Sequence, residues 1–322
     1  MTAELVRALA ALAAFAGLGC NDPAPRETAL GSVAPAPGDA GSLTLRLLDV
    51  TDSEVGGLAV LVSDSSAGEV KHALIDGGER GGTALRALQR FGVASLALVV
   101  LTHAHADHFG GLATVLDALP VGAFAYNGDP RALRSYTRLL SAVEREGVRP
   151  IVVSGAPRTV AMVTGGDTLV VTLLPPPPAG AVTSGDRMNN RSVGVHLRYG
   201  RFTALVPGDA EHGQEAWWAR RFGPLVDVDV LVASHHGARD ANSTARRRDW
   251  YTSVTPRALL VSANGRQHPH AQVLTHAAAL GLATYCTSTH GSVAVRATRA
   301  GRWSVATDRA APCAPGRESE PR

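Results

Sequence analysis

Three histidines and an aspartate fall within six residues of the stretch Leu101-Thr-His103-Ala-His105-Ala-Asp107-His108-Phe-Gly-Gly-Leu112. Imidazole and carboxylate are the donor types that borderline divalent ions such as zinc or manganese accept. Two further pairs, His235-His236 and His268-Pro-His270, bring the clustered set to seven of the twelve histidines. Scattered histidines would suggest core or surface positions; these follow apolar runs each time, which suggests one shared cleft. Asp209 follows Ala204-Leu-Val-Pro-Gly208, and a carboxylate at a strand end beside a glycine can approach two cations at once. The residues give two candidate ligand sets, His103 with His105, and Asp107 with His108 and His235, with Asp209 able to bridge them. One or two bound ions would supply a metal-bound hydroxide and stabilise an attacked centre, which fits hydrolysis. His236 is a candidate acid or phosphate contact, with support of a neighbouring ligand as the alternative. His268 and His270 could meet the substrate or leaving group, or mark the surface start of a helix. Asp107, His236 and His268 are the residues expected to take a direct part in catalysis.

The elements that must position these groups are legible in outline. The apolar run Leu96 to Leu101 reads as a buried strand, and Phe109 to Leu119 has apolar residues at helical spacing. The histidine cluster therefore sits on a strand-to-helix loop. Further strands are expected at 43–50, 57–63, 70–75, 121–126, 150–153, 158–163, 168–174, 192–199, 201–206, 228–233, 258–262, 283–286, 292–297 and 303–306. Helices are expected at 83–91, from an Asp129 cap with Pro130 in the first turn to Glu146, through Trp217 and Trp218, within 242–254, and at 272–280. Many strands, few crossover helices and polar residues massed at strand ends suggest an α/β fold of two sheets between outer helices.

The set Leu74-Ile-Asp-Gly-Gly78, Thr102 to His108, Gly208-Asp209 and His235 resembles the metallo-β-lactamase fold superfamily. Within it the chain is most similar to the C-terminal hydrolase domain of the DNA-uptake protein ComEC and its free-standing relatives. That similarity is carried by Leu48-Asp-Val50, Asn189-Asn-Arg-Ser-Val193, Val206-Pro-Gly-Asp209, Ser234-His-His-Gly237 and His268-Pro-His270, in family order from about residue 43 to 307. The resemblance implies an αββα sandwich, two mixed β-sheets flanked by helices, with metals at one edge. It implies His103, His105, Asp107, His108, Asp209 and His235 as metal ligands, and Asp76 as a residue that orients the ligand loop by hydrogen bonding. Superfamily members often carry another ligand histidine before the strand near Ser192; here the region reads Met188-Asn-Asn-Arg-Ser192, a lack ComEC-like proteins share. Asn190 or water could fill the position. His196 is the nearest histidine and is expected to face solvent from its strand. The first ComEC-like loop is usually Gly-Gln-Gly-Asp in character, whereas this chain has Thr51-Asp-Ser-Glu54.

The 322 residues, 45% hydrophobic with a net charge of +3, suit an ordinary globular protein and do not by themselves argue for a nucleic-acid partner. Residues 1–20 read as a signal peptide, with an apolar segment from Leu5 to Gly19 ahead of Cys20, which stands as in a bacterial lipobox. That makes the expected location the bacterial periplasm or cell surface, with the membrane surface contacted through a lipid on Cys20. Residues 21–42 read as a Pro/Ala/Gly-rich linker, 43–307 as the hydrolase domain and 308–322 as a disordered tail. An oxidising compartment would permit a Cys286–Cys313 bond, with two free thiols as the alternative. Arg131, Arg134 and Arg138 share a helical face and Arg246 to Arg248 form a run. Either could meet phosphates, although such groups are usually a solvated face. His72, His212, His276 and His290 have no partner motif and read as structural or exposed. The expected activity is metal-dependent hydrolysis of a small-molecule or nucleic-acid phosphodiester. Alternatives are an ester or β-lactam hydrolase, an iron-dependent redox member of the same fold, or a non-catalytic binding lipoprotein.

Overall fold

The structure is a computed structural model, and it describes residues 41–50, 56–242 and 250–318. The expected signal peptide, the Cys20 anchor, nearly all of the linker, the loop Thr51 to Glu54 and the run Arg246 to Arg248 lie outside the described residues. In chain order the strands are β1 (Gly41–Leu47), β2 (Val60–Ser66), β3 (Glu69–Ile75), β4 (Leu98–Val100), β5 (Ala123–Tyr126), β6 (Arg149–Val152), β7 (Arg158–Thr164), β8 (Asp167–Leu174), β9 (Gly194–Tyr199), β10 (Phe202–Val206), β11 (Val230–Val232), β12 (Ala258–Val261), β13 (Ala283–Cys286), β14 (Val293–Ala297) and β15 (Trp303–Thr307). The helices are α1 (Thr83–Arg90), α2 (Ala106–Phe109), α3 (Leu112–Ala118), α4 (Arg134–Arg145), α5 (His212–Val226), α6 (Trp250–Val254), α7 (Ala271–Ala279) and α8 (Thr287–His290).

The strands form an eight-stranded sheet ordered β15-β14-β1-β2-β3-β4-β5-β6 and a seven-stranded sheet ordered β13-β12-β11-β10-β9-β8-β7. Each sheet is mixed: β3 to β6 run parallel in the first, β10 to β13 in the second, and hairpin-type pairs make up the rest. Alternation along the strands decides which face goes where. Leu43, Leu45 and Leu47 of β1 meet Val195, Leu197 and Tyr199 of β9 in the core between the sheets. Leu61, Leu74 and Val99 turn outward onto Leu88, Phe109, Leu112 and Tyr136 of the first helical layer. Leu205, Leu231 and Leu259 turn outward onto Trp218, Trp250 and Val273 of the second. The layers are thus helix, sheet, sheet, helix. Strands β4, β11 and β12 are buried along their whole length, which is why they read as unbroken apolar runs rather than alternating ones.

Three expectations about the scaffold need correction. The helix expected from Asp129 starts only at Arg134, because the Asp129 carboxylate is engaged by Arg191 in a two-pronged ion pair and cannot cap a helix. His196 is buried rather than solvent-facing; it points away from the inter-sheet core, but the α5 layer covers that face. Residues 308–318 of the expected disordered tail are hydrogen-bonded in place. Cys313 is disulfide-bonded to Cys286, with Cα atoms 5.2 Å apart. Beyond it the backbone N–H groups of Gly316, Arg317 and Glu318 donate to the carbonyls of Pro269, Gly265 and Arg266. No helix among the described residues is long and apolar enough to cross a membrane.

Candidate metal centre

Ligands in open parallel sheets gather at the carboxyl ends of the strands, and the clustered residues lie there in both sheets. Asp76 ends β3, the segment His103 to His108 follows β4, Asp209 follows β10, His235 and His236 follow β11, and His268 follows β12. The two groups of strand ends meet at one rim of the sandwich. Val193 N–H donates to the Thr102 carbonyl at 2.8 Å, and Asp209 N–H to Ser192 Oγ at 3.1 Å. Two glycines permit this closeness. A Cβ on Gly208, whose φ is +61°, would lie 2.7 Å from Thr102 Cβ, and one on Gly111 would lie 2.2 Å from the Gly77 carbonyl oxygen.

Asp76 is fully buried and holds the ligand loop from behind. Its carboxylate accepts Thr102 N–H at 2.8 Å, Thr102 Oγ–H at 2.7 Å and His108 Nδ1–H at 2.7 Å. The last bond leaves His108 Nε2 free to face the cleft. Asp76 itself adopts a φ of +57°, a conformation that Asp tolerates better than most residues because its short side chain can bond locally.

The tightest group is Asp107, His108, Asp209 and His236, whose donor atoms lie within 4.8 Å of one another. His108 Nε2 is 3.1 Å from Asp209 Oδ1, and His236 Nε2 is 3.2 Å from Asp107 Oδ2. The second group, His103, His105 and Asp209, uses the other oxygen of the same carboxylate: His103 Nε2 is 3.7 Å from Asp209 Oδ2 and 3.0 Å from His105 Nδ1. Asp209 therefore stands between the groups, offering one oxygen to each.

His235 and His236 exchange the places expected from the sequence. Both adopt left-handed backbone conformations, with φ of +46° and +56°, so the turn throws consecutive side chains in different directions. His236 donates Nδ1–H to the Ser262 carbonyl at 2.9 Å and turns Nε2 into the tight group. This outer-partner arrangement is common for metal-ligating histidine, and it places His236 Nε2 among the candidate ligand atoms. His235 lies outside, its Nε2 3.9 Å from Asp209 Oδ2 and its Nδ1 3.0 Å from Asp240 Oδ1. Asp240 and Glu211 complete a third acid-histidine group with His235.

Asn190 does not fill the place of the absent histidine. Its amide donates to Ser184 O, Asp186 O and Glu211 Oε2, and its oxygen accepts Gln214 N–H. Asn189 is the residue turned to the centre, with Nδ2 3.0 Å from Glu211 Oε1 and 3.5 Å from His235 Nε2. Sequence alone could not rank the two adjacent asparagines. Glu211 was missed although it stands two residues after Asp209; a carboxylate on that spacing was a usable signal. Asp240 had none beyond lying near His235.

His268 packs on the same cluster, its ring centroid 5.7 Å from that of His235 and 6.1 Å from that of His236. His270 is half-exposed and stands at the N-terminus of α7, in agreement with the surface alternative.

Electrostatics divides the histidines. Burial opposes charge on His108, but Asp209, Asp107 and Asp76 outweigh it and raise its pKa well above the ordinary value. Burial presses His103 well below that value, aided by the neighbouring His108. His235 is pushed up to about 9: burial opposes this, and Asp240 and Asp209 overcome it. His268 is lowered to about 3 by burial and by the adjacent histidines. Asp209 and Asp107 are both held well below the carboxylate range, because His108 and His236 more than offset their burial.

His108 Nε2, Asp209 Oδ1 and His236 Nε2 are all buried, and although carboxylate oxygens stand 3.1 and 3.2 Å from the two nitrogens, none of the three atoms makes a hydrogen bond of acceptable direction. A buried polar atom left unpaired costs about 1–3 kcal/mol, so three in one place call for a shared partner. Nitrogen and carboxylate donors around one point suit a borderline divalent ion.

Residues 54–249 match the metallo-beta-lactamase superfamily, and the chain belongs to that family. A comparison with curated protein sequences gave no match. Among solved structures the chain is similar to the metallo-beta-lactamase fold protein YhfI from Bacillus subtilis, at 13% identity and a TM-score of 0.48 over 76% of this chain and 95% of that one. It is similar to CmlA, a diiron beta-hydroxylase from Streptomyces venezuelae, at 16% identity and a TM-score of 0.45 over 79% of this chain; it spans 53% of CmlA, about half its length. It is also similar to the short form of human tRNase Z, at 15% identity and a TM-score of 0.41 over 69% of this chain and 92% of that one.

Proposed function

We propose that the protein is a metal-dependent hydrolase of phosphodiesters, of the ComEC type, holding zinc or manganese. The observation that carries this reading is the convergence of three buried, unpartnered donor atoms, His108 Nε2, Asp209 Oδ1 and His236 Nε2, beside the Asp107 carboxylate. Asp107, His108, Asp209 and His236 would hold one ion, and His103, His105 and Asp209 a second. A divalent ion at such a place acidifies bound water and draws charge from a phosphoryl oxygen. Asp76 and the Ser262 carbonyl fix the two imidazoles so that each presents Nε2. His235, bonded to Asp240 through Nδ1, turns Nε2 toward the Asp209 side of the cleft, where it would be placed to meet a phosphoryl oxygen or a departing alkoxide. His268, which burial and the adjacent histidines keep neutral, offers one ring N–H donor and one acceptor to the substrate side of the cleft.

Bis(p-nitrophenyl) phosphate and nitrocefin assayed side by side with added zinc and manganese test the reading, together with metal analysis of the purified protein. Phosphodiester turnover is expected; lactam turnover alone would sink it.

Export and lipid attachment at Cys20 belong to the same proposal, supported by the sequence pattern and by the Cys286–Cys313 bond, since disulfides persist in oxidising compartments. A Cys20→Ser variant is expected to leave the membrane fraction; unchanged fractionation would argue against the anchor.

A further inference from the structure

A cavity of about 460 Å³ adjoins the ligand loop, within the roughly 300–1,000 Å³ usual for small-molecule sites. Ala104, between His103 and His105, forms part of its wall, as does Asn190 next to Asn189. The cavity therefore abuts the His103 side of the centre. Pro177, Pro178 and Val182 give it an apolar surface.

Its charged groups are nearly all engaged. Asp129 is paired with Arg191. Asp186 accepts the backbone N–H groups of Met188 and Asn189. Arg131 donates to the Ala104 carbonyl and contacts Met188 Sδ, which fastens the cavity wall to the ligand loop. Arg187 is the remainder: it lines the cavity, is exposed, and has no hydrogen-bond or ion-pair partner among the described residues. The one charged side chain of the lining without a protein partner among the described residues is thus a guanidinium beside an apolar wall.

We propose that the cavity receives the organic arm of the substrate and that Arg187 binds a second phosphate on that arm. The substrate class is then a nucleotide chain with at least two phosphates, rather than a diester of neutral alcohols. This rests on the phosphodiesterase reading above. A guanidinium can make two parallel hydrogen bonds to a phosphate, and a neutral arm would leave it unanswered.

The dinucleotide TpT and its 5′- and 3′-phosphorylated forms share one scissile bond and differ only in the terminal phosphate. One phosphorylated form is expected to show a KM about tenfold or more below that of TpT, the scale of a hydrogen-bonded charge pair. Arg187→Glu is expected to abolish that advantage and Arg187→Lys to keep part of it. Equal KM values in the wild type, or an advantage that survives Arg187→Glu, would overturn the proposal. Calorimetric titration of the metal-loaded protein with thymidine 5′- and 3′-monophosphate gives a readout without turnover. Binding that depends on Arg187, with no dinucleotide cleaved, would overturn the phosphodiesterase reading and keep the cavity assignment. Cleavage with no Arg187-dependent binding would do the reverse.

Discussion

The Asp107 and His103 sides of the centre share Asp209 and differ in how far their inward-facing atoms are already met. On the Asp107 side each imidazole has an outer partner, Asp76 for His108 and the Ser262 carbonyl for His236, and the inward atoms are buried and unmet. On the His103 side the two histidines bond to each other at 3.0 Å, and the neighbouring position is held by Asn189, whose amide is turned to Glu211 and His235. One side leaves its inward donor atoms without hydrogen bonds; the other has already satisfied much of its own demand. Each side offers two histidines, so the supporting bonds rather than the count decide which side grips an ion.

The largest break in this comparison would come at the shared carboxylate. Asp209→Asn is expected to lower metal content on both sides and phosphodiester turnover by about 10³-fold or more, the several kcal/mol that a bound divalent ion supplies. Plasma mass spectrometry and kinetics check this, and wild-type turnover would remove the basis for treating the sides as one centre.

Next in size is an effect that belongs to the scaffold and has to be separated from the centre. His196 is buried with Nδ1 unpartnered and titrates at about 4, lowered by burial and then by Arg198. Its unfolded counterpart titrates at about 6.5. The depressed value means that the stability it carries is complete above the unfolded pKa and is lost as pH falls through the folded one, about 3 kcal/mol in all. Urea unfolding of metal-free protein between about pH 4 and 7 should show this loss, and His196→Leu should flatten it. An acid limb unchanged by the substitution would assign the sensitivity to the centre instead.

Asp76→Asn should weaken metal binding on the Asp107 side by about 10- to 100-fold, the usual cost of losing an outer-shell partner. Chelator competition measures it, and an equal loss on the His103 side would show that Asp76 organises the whole loop. The smallest change is expected from Asn189→His, which supplies a third imidazole to the weaker side. Bound ions per chain should rise toward two; an unchanged stoichiometry would show that the backbone at Asn189 does not reach that side.

Much of this centre is legible in sequence because its ligand types are rare and cluster after strands. The sandwich was equally readable, since β4, β11 and β12 are uninterrupted apolar runs. What sequence could not supply were directions. Nothing in Ser234-His-His-Gly237 says which imidazole turns inward; two successive left-handed residues decide it. Nothing in Asn189-Asn190 says which amide is engaged with a loop and which is turned to the centre. The Asp129-Pro130 pair has the form of a helix start, and a tertiary ion pair with Arg191 overrides it. Glu211 was open to detection from its spacing to Asp209.

The covalent link between Cys286 and Cys313 has an effect at a distance from the cysteines themselves. It sets the chain down along residues 264–270, where three backbone hydrogen bonds seat it beside the segment that carries His268. The last described residues thus work as a splint for one wall of the centre. For anyone engineering this protein, a purification tag or fusion partner appended there would emerge next to that wall, and trimming the chain back to β15 would unseat it while leaving every strand of the sandwich intact.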